Sequence, residues 1–194
     1  MPNRVDIFRN YGFYWPTQED LLNLCKTHPG FTLSDLVLTA FRWKKEGCGF
    51  GMLQLVFRKG IMSPVFTSPE CENGDVELLT TSIKKGKGDK LKCIRIRTAG
   101  EDEQALEAKK KKYVERLQFF GEKVTAEEEI GKKDPRVLCH MAPCRCGQEE
   151  VYQIPLGYRI VGIKGLYATD KFCWTKENIR YFENIRSLGF IFMK

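Results

Sequence analysis

From residue 36 onward, apolar and polar positions alternate in short runs, the two-residue period of strands with one wet and one buried face. Residues 36–43 are β-branched, aromatic and aliphatic. Gly47, Gly49 and Gly51 then open a turn or bulge, and 52–58 alternates with Leu53, Leu55 and Phe57 on one face. Lys59-Gly60 reads as a hairpin turn and 61–66 as the returning strand, with Pro64 at an edge or bulge. Further strands are predicted at 76–79, 91–98, 114–120, 152–154, 158–164 and 185–193. Between them, 84–90 reads as a solvated loop, 121–150 as polar and irregular, and 166–183 as a long loop. Residues 99–112 start acidic and end in four lysines, a charge order that suits a helix dipole, but the apolar face is thin. They read as a helical or partly disordered excursion.

Before residue 36 the pattern differs. Residues 1–16 carry Phe8, Tyr11, Phe13, Tyr14 and Trp15, which a free tail would leave wet, so an extended arm lying on a surface is expected. Thr17 and Asp20 have capping-box spacing. Leu21, Leu22, Leu24 and Cys25 give a short helix its apolar face, and His28-Pro29-Gly30 stop it. Thr32 before Asp35 is a second candidate cap, but Val37 and Leu38 soon favour strand.

Three strand pairs look alike: 36–43 with 52–57, 91–97 with 114–120, and 158–164 with 184–192. Short matches recur in the second member of each: Leu53-Gln-Leu-Val-Phe, Leu117-Gln-Phe-Phe and Leu188-Gly-Phe-Ile-Phe. Such repetition argues for pseudo-symmetric β architecture, with a β-sandwich of generically alternating strands as the alternative. Ile154-Pro-Leu-Gly-Tyr-Arg-Ile-Val-Gly-Ile-Lys-Gly followed by Ile185-Arg-Ser-Leu-Gly-Phe-Ile-Phe resembles the end of jacalin-related lectin domains. Residues 53–66 and 117–120 resemble strand-turn segments of that family. The resemblance implies an all-β fold, a β-prism of three Greek-key sheets over 36–194, preceded by an N-terminal arm and short helix at 1–35. Residues 99–112 and 166–183 are insertions in it. Plant members bind sugar through backbone amides and an aspartate two residues before the Leu/Ile-Gly pair of the last strand. The matching position here is Arg186, a donor-only cation, so the resemblance implies a degenerate sugar site.

The 194 residues suffice for a single elaborated domain, and no apolar run has the length of a membrane span. The N-terminus has no secretory pattern, so a cytoplasmic setting with eight reduced cysteines is expected, a cytoskeletal assembly being one version of it. Cys139, His140, Cys144 and Cys146 form the densest ligand-capable cluster and could hold zinc, although their spacing is not that of paired knuckles; no other cofactor is indicated. No phosphate loop, dinucleotide fingerprint or metalloprotease helix is present, and two histidines leave few general bases, so an enzyme is not expected. The net charge of +7 favours acidic partners. Lys84, Lys85, Lys87 and Lys109, Lys110, Lys111, Lys112 are the candidate polyanion contacts, for RNA or an acidic protein tail. Phe8, Tyr11, Phe13, Tyr14, Trp15, Trp174, Tyr181 and Phe182 are the candidate protein-docking aromatics. The leading expectation is a non-catalytic scaffold or docking subunit of a larger complex. Carbohydrate binding is the first alternative and polyanion binding the second.

Overall fold

The computed structural model describes residues 5–46, 49–67, 77–83, 91–99, 113–121, 128–130, 147–175 and 178–194. In chain order the elements are β1 (Val5–Trp15), α1 (Gln18–Thr27), β2 (Leu38–Glu46), β3 (Gly49–Phe57), β4 (Leu79–Ser82), β5 (Leu91–Ala99), β6 (Tyr113–Gly121), β7 (Glu128–Ile130), β8 (Gly147–Gln153), β9 (Arg159–Thr175) and β10 (Asn178–Met193). They form three antiparallel sheets, ordered β3-β2-β4, β7-β6-β5-β8 and β1-β9-β10. Among the described residues no helix is long and apolar enough to cross a membrane.

The first two sheets are variations on one Greek key. In the second, β5, β6 and β7 run consecutively and β8 returns beside β5, the spatial order of that motif. In the first, β2 and β3 are followed by a loose third strand, whose bridges join Met62 to Val56 and Phe66 to Leu53, and β4 returns beside β2. Pro64 lies between those two bridges, where the predicted returning strand is broken. In the third, the strand beside β9 comes from the opposite end of the chain, as β1. Strands β3, β6 and β10 touch pairwise, so the three sheets close a triangle. Two stacked sheets would not give that, and the architecture is β-prism-like.

The repeat in the sequence corresponds to matching cross-strand rows. Phe41 faces Leu55 in the first sheet, Ile94 faces Phe119 in the second, and Ile163 faces Phe190 in the third. Each row holds one ring and one aliphatic side chain, with the ring on the earlier strand only in the first sheet. Three rings therefore meet, one per sheet: Phe41 and Phe119 stack at 4.9 Å, while Phe190 meets them edge-on at 6.5 and 6.0 Å. The neighbouring rows are Trp43–Leu53, Ile96–Leu117 and Gly165–Leu188.

Gly165 breaks that series because another strand fills its place. Phe13 of β1 is in register with it. A Cβ at 165 would lie 2.5 Å from Phe13 Cζ and 2.2 Å from the Ser187 carbonyl oxygen. Phe13 also stacks on Phe66 at 4.9 Å, and the Trp15 ring lies 5.6 Å from that of Phe57. The expected extended arm is β1, laid along β9 as a strand of the third sheet, and it contributes core side chains. The expected loop over 166–183 is corrected. Strands β9 and β10 continue through it as a paired ribbon on which β1 is laid from Val5 opposite Cys173. The excursion at 99–112 lies outside the described residues, apart from Ala99 at the end of β5.

Polar groups tie the sheets where rings do not. Tyr167 is buried and donates its hydroxyl hydrogen to Gly51 O at 3.0 Å, joining β9 to β3. Lys45 is buried in β2, lies over the Phe50 ring and donates to the Glu115 carbonyl of β6. At the helical end, the Thr17–Asp20 capping box forms as predicted, and Leu24 is buried. Thr32 begins only a single 3-10 turn at Leu33–Asp35, because the chain is needed in β2 three residues later. Arg159 holds that turn by donating to the Leu33 and Leu36 carbonyls. Asp35 holds it from the other side, accepting from Thr32 N–H at 3.0 Å and pairing with Lys59 at 2.9 Å.

Two predictions follow from these contacts. Phe41→Ala removes the ring shared by all three sheets and should lower the unfolding free energy by about 3–5 kcal/mol. Urea denaturation reads this, and a loss below about 1 kcal/mol would contradict the ring junction. Asp35 is held below the ordinary carboxylate value of 3.8, first by the Lys59 hydrogen bond and then by Thr32 N–H. A lowered folded pKa stabilises fully above 3.8, and the contribution is lost as pH falls through the folded value. Wild type should therefore be more stable than Asp35→Asn near neutrality, and their melting temperatures should converge in acid.

Candidate functional site

The outward faces of the sheets differ in what they leave to solvent. On the second sheet, Arg97 pairs with Glu115 at 3.0 Å and Glu149 at 3.5 Å, and Arg95 lies over the Phe120 ring. Arg97, Glu115 and Glu149 answer one another on that face, and Arg95 lies 4.0 Å from Glu149. Such exposed pairs add about 0–1 kcal/mol each and offer little to a ligand. On the first sheet, Arg42 donates to Gln54 at 2.9 Å.

The third sheet has no such row of ion pairs among its described residues. Alternation sends Tyr11, Phe13 and Trp15 of β1 toward the core and leaves Tyr14 outside, 54% exposed. Tyr14 is in register with Lys164 of β9, which in turn faces Gly189 of β10. The next outward row is Gly12, Leu166 and Ser187. Because residue 189 has no side chain, the Lys164 stem crosses it: a Cβ there would lie 3.2 Å from Lys164 Cε and 3.4 Å from Cγ. Lys164 and Ser187 are exposed.

These residues line an open groove of about 810 Å³, whose further wall includes Tyr152 of β8. Its size is in the range of small-ligand clefts, about 300–1,000 Å³. Tyr152 is 42% exposed, and its hydroxyl donates to Glu150 Oε2 at 2.5 Å. That hydrogen bond, followed by burial and the Glu150 charge, pushes the phenol above the ordinary 10.0, because ionisation would lose the donated proton beside a carboxylate. Among the described residues the groove thus offers two tyrosines, one ammonium and one hydroxyl, with Gly189 keeping the outward row low.

Of the predicted docking aromatics whose side chains are described, Tyr14 stands in this groove as an exposed ring, Trp15 is buried, Phe13 stacks on Phe66 and Tyr11 is half-buried against the core. Phe8, Trp174, Tyr181 and Phe182 have backbone positions in the ribbon of β1, β9 and β10; their side chains lie outside what the structure describes. Arg186 is not in a closing loop. It is the extra residue of a bulge in β10 between Ile185, opposite Tyr167, and Ser187, opposite Leu166, and it is 7% exposed. The position matched to the family's sugar-binding aspartate is thus a buried mid-strand residue here. Cys139, His140, Cys144 and Cys146, and the lysines at 84, 85, 87 and 109–112, lie outside the described residues. Among the described residues no group of three or more His, Cys, Asp or Glu could hold a metal ion.

The sequence reading missed Tyr152, Lys164, Ser187 and Gly189. Lys164 carried a readable signal, since it ends an alternating run whose Val161 and Ile163 face inward. Tyr152 carried none, because the groove joins it to a strand of another sheet. The Tyr152 environment gives a direct test. Ultraviolet titration should show a late-ionising phenol that is lost in Tyr152→Phe and moves toward 10.0 in Glu150→Gln; a titration left unchanged by either substitution would contradict the contact.

No protein-family model matches this chain. No curated protein sequence matches it either. Among solved structures, the chain is similar to one titled as the crystal structure of a prostate-specific WGA16 glycoprotein lectin, form II. The TM-score is 0.45 at 11% sequence identity, over 81% of this chain and 82% of that one. The prism-like architecture described above rests on this chain's own strand order and on the pairwise contact of its sheets.

Proposed function

We propose that this protein is a carbohydrate-binding module, with its site in the groove on the third sheet. The observation that carries the reading is the pair of exposed tyrosines, Tyr14 and Tyr152, bordering a low strip of Gly165, Ser187 and Gly189. A pyranose ring has an apolar face of C–H bonds and a rim of hydroxyls. The face packs on aromatic rings, which carry a large apolar surface and a polar tip. The rim finds a hydroxyl at Ser187 and a donor at Lys164. The open, shallow form suits an oligosaccharide that remains partly solvated.

The scaffold reading drew its support from the threefold pattern, the missing aspartate and the aromatic residues of the arm and of 166–183. Among those aromatics whose side chains are described, Trp15 is buried and Phe13 is packed against the core, while the exposed Tyr14 stands in the groove itself. The polyanion reading draws on lysine runs that lie outside the described residues. The groove therefore gives carbohydrate the stronger case.

A glycan array followed by calorimetric titration tests the proposal. Binding to at least one oligosaccharide class is expected. Tyr14→Ala and Tyr152→Ala should each weaken it about fivefold to tenfold, roughly 1–1.4 kcal/mol, without lowering the melting temperature comparably. Silence across mannose-, galactose- and glucan-type ligands would overturn it, as would binding that survives loss of both rings.

A further inference from the structure

Among the described residues, the groove wall holds one charged side chain, the cation Lys164. Among the described residues its ammonium has no ion-pair or hydrogen-bond partner. This sets it apart from Arg95 and Arg97 on the neighbouring sheet, whose charges are met by Glu115 and Glu149. Its direction is also constrained. The stem passes across Gly189, 3.2–3.9 Å from where a Cβ would stand, so the ammonium leans from β9 toward β10. Tyr14 borders it in register on the other side.

We propose that the saccharide taken by this groove is anionic, carrying a carboxylate or sulfate that meets Lys164 while its ring packs on the tyrosines. The inference rests on the carbohydrate reading above. A neutral sugar would leave the cation facing solvent and would gain only a neutral acceptor from it. An acidic sugar would form a charge-assisted hydrogen bond, about twice as strong as a neutral one. Because the groove is open, screening limits the gain, and a preference of about threefold to tenfold over the matched neutral sugar is expected.

The test uses the full chain and three matched oligosaccharide sets: neutral, uronic-acid-containing and sulfated. Affinities are measured at low and physiological ionic strength, for wild type, Lys164→Gln and Lys164→Arg. The expected result is a preference for one or both acidic sets that falls with salt, is abolished in Lys164→Gln and is largely kept in Lys164→Arg. The carboxylate and sulfate arms show which anion fits. Gly189→Ala keeps the charge but displaces the stem, and should reduce the same preference while an unchanged melting temperature reports an intact fold. Equal affinity for neutral and acidic sets would overturn this inference and leave the carbohydrate reading standing. A preference that persists in Lys164→Gln would overturn the assignment to Lys164. Absence of binding to all three sets would overturn both.

Discussion

Phe41, Phe119 and Phe190 come from three different sheets and meet face to face and edge to face. This junction is the constraint on which the architecture depends. A sheet buries one face against another layer, and two layers normally suffice. Here every sheet finds its inner face covered by two others at once, because one bulky ring per sheet reaches the common centre. The rows around the rings keep a ring opposite an aliphatic side chain in each sheet, which conserves volume while letting the ring change strands. Core volume is what close packing is sensitive to, more than the identity of the strand that supplies it.

The third sheet shows how the same volume rule shapes the rest. Its equivalent of Trp43 and Ile96 is Gly165, and the missing side chain is replaced by Phe13 from the first strand of the chain. The two ends of the sequence are thereby joined in one sheet. The first two sheets add a following strand beside their first member, β4 beside β2 and β8 beside β5, and the third adds a preceding one, β1 beside β9. The same strand that places Phe13 and Trp15 in the core places Tyr14 outside, since successive side chains point to opposite faces. Core and candidate site are therefore two faces of one element, and a shift in its register by one residue would exchange them.

The groove itself comes from absences as much as from groups. Gly189 gives the Lys164 stem a path across the neighbouring strand, and no described acid lies in the wall to meet the ammonium. On the second sheet the outward row is instead filled by Arg95, Arg97, Glu115 and Glu149, which answer one another. On one sheet face the charges are paired with each other, and on the other Lys164 makes no ion pair among the described residues.

The alternation of the chain was enough to determine the strand pairs, because a two-residue period with one buried face admits few other structures. The matches Leu53-Gln-Leu, Leu117-Gln-Phe and Leu188-Gly-Phe pointed to three like units, and Thr17 with Asp20 to the helix start, since both depend on local spacing. Tertiary structure alone decided what each face meets. Residues 1–16 read as an arm because nothing local shows that Gly165, far along the chain, lacks the side chain that Phe13 supplies. Residues 166–183 read as a loop because their polar and aromatic residues show no clear two-residue period, and the ribbon that β9 and β10 form there also carries β1 from the other end of the sequence. Arg186 aligned with a loop position in a related pattern, but a bulge inside a long strand turned it into a buried residue. Tyr152 and Lys164 share a groove only because two sheets meet at a corner, and such a meeting depends on the packing of the whole body rather than on any stretch of neighbouring residues.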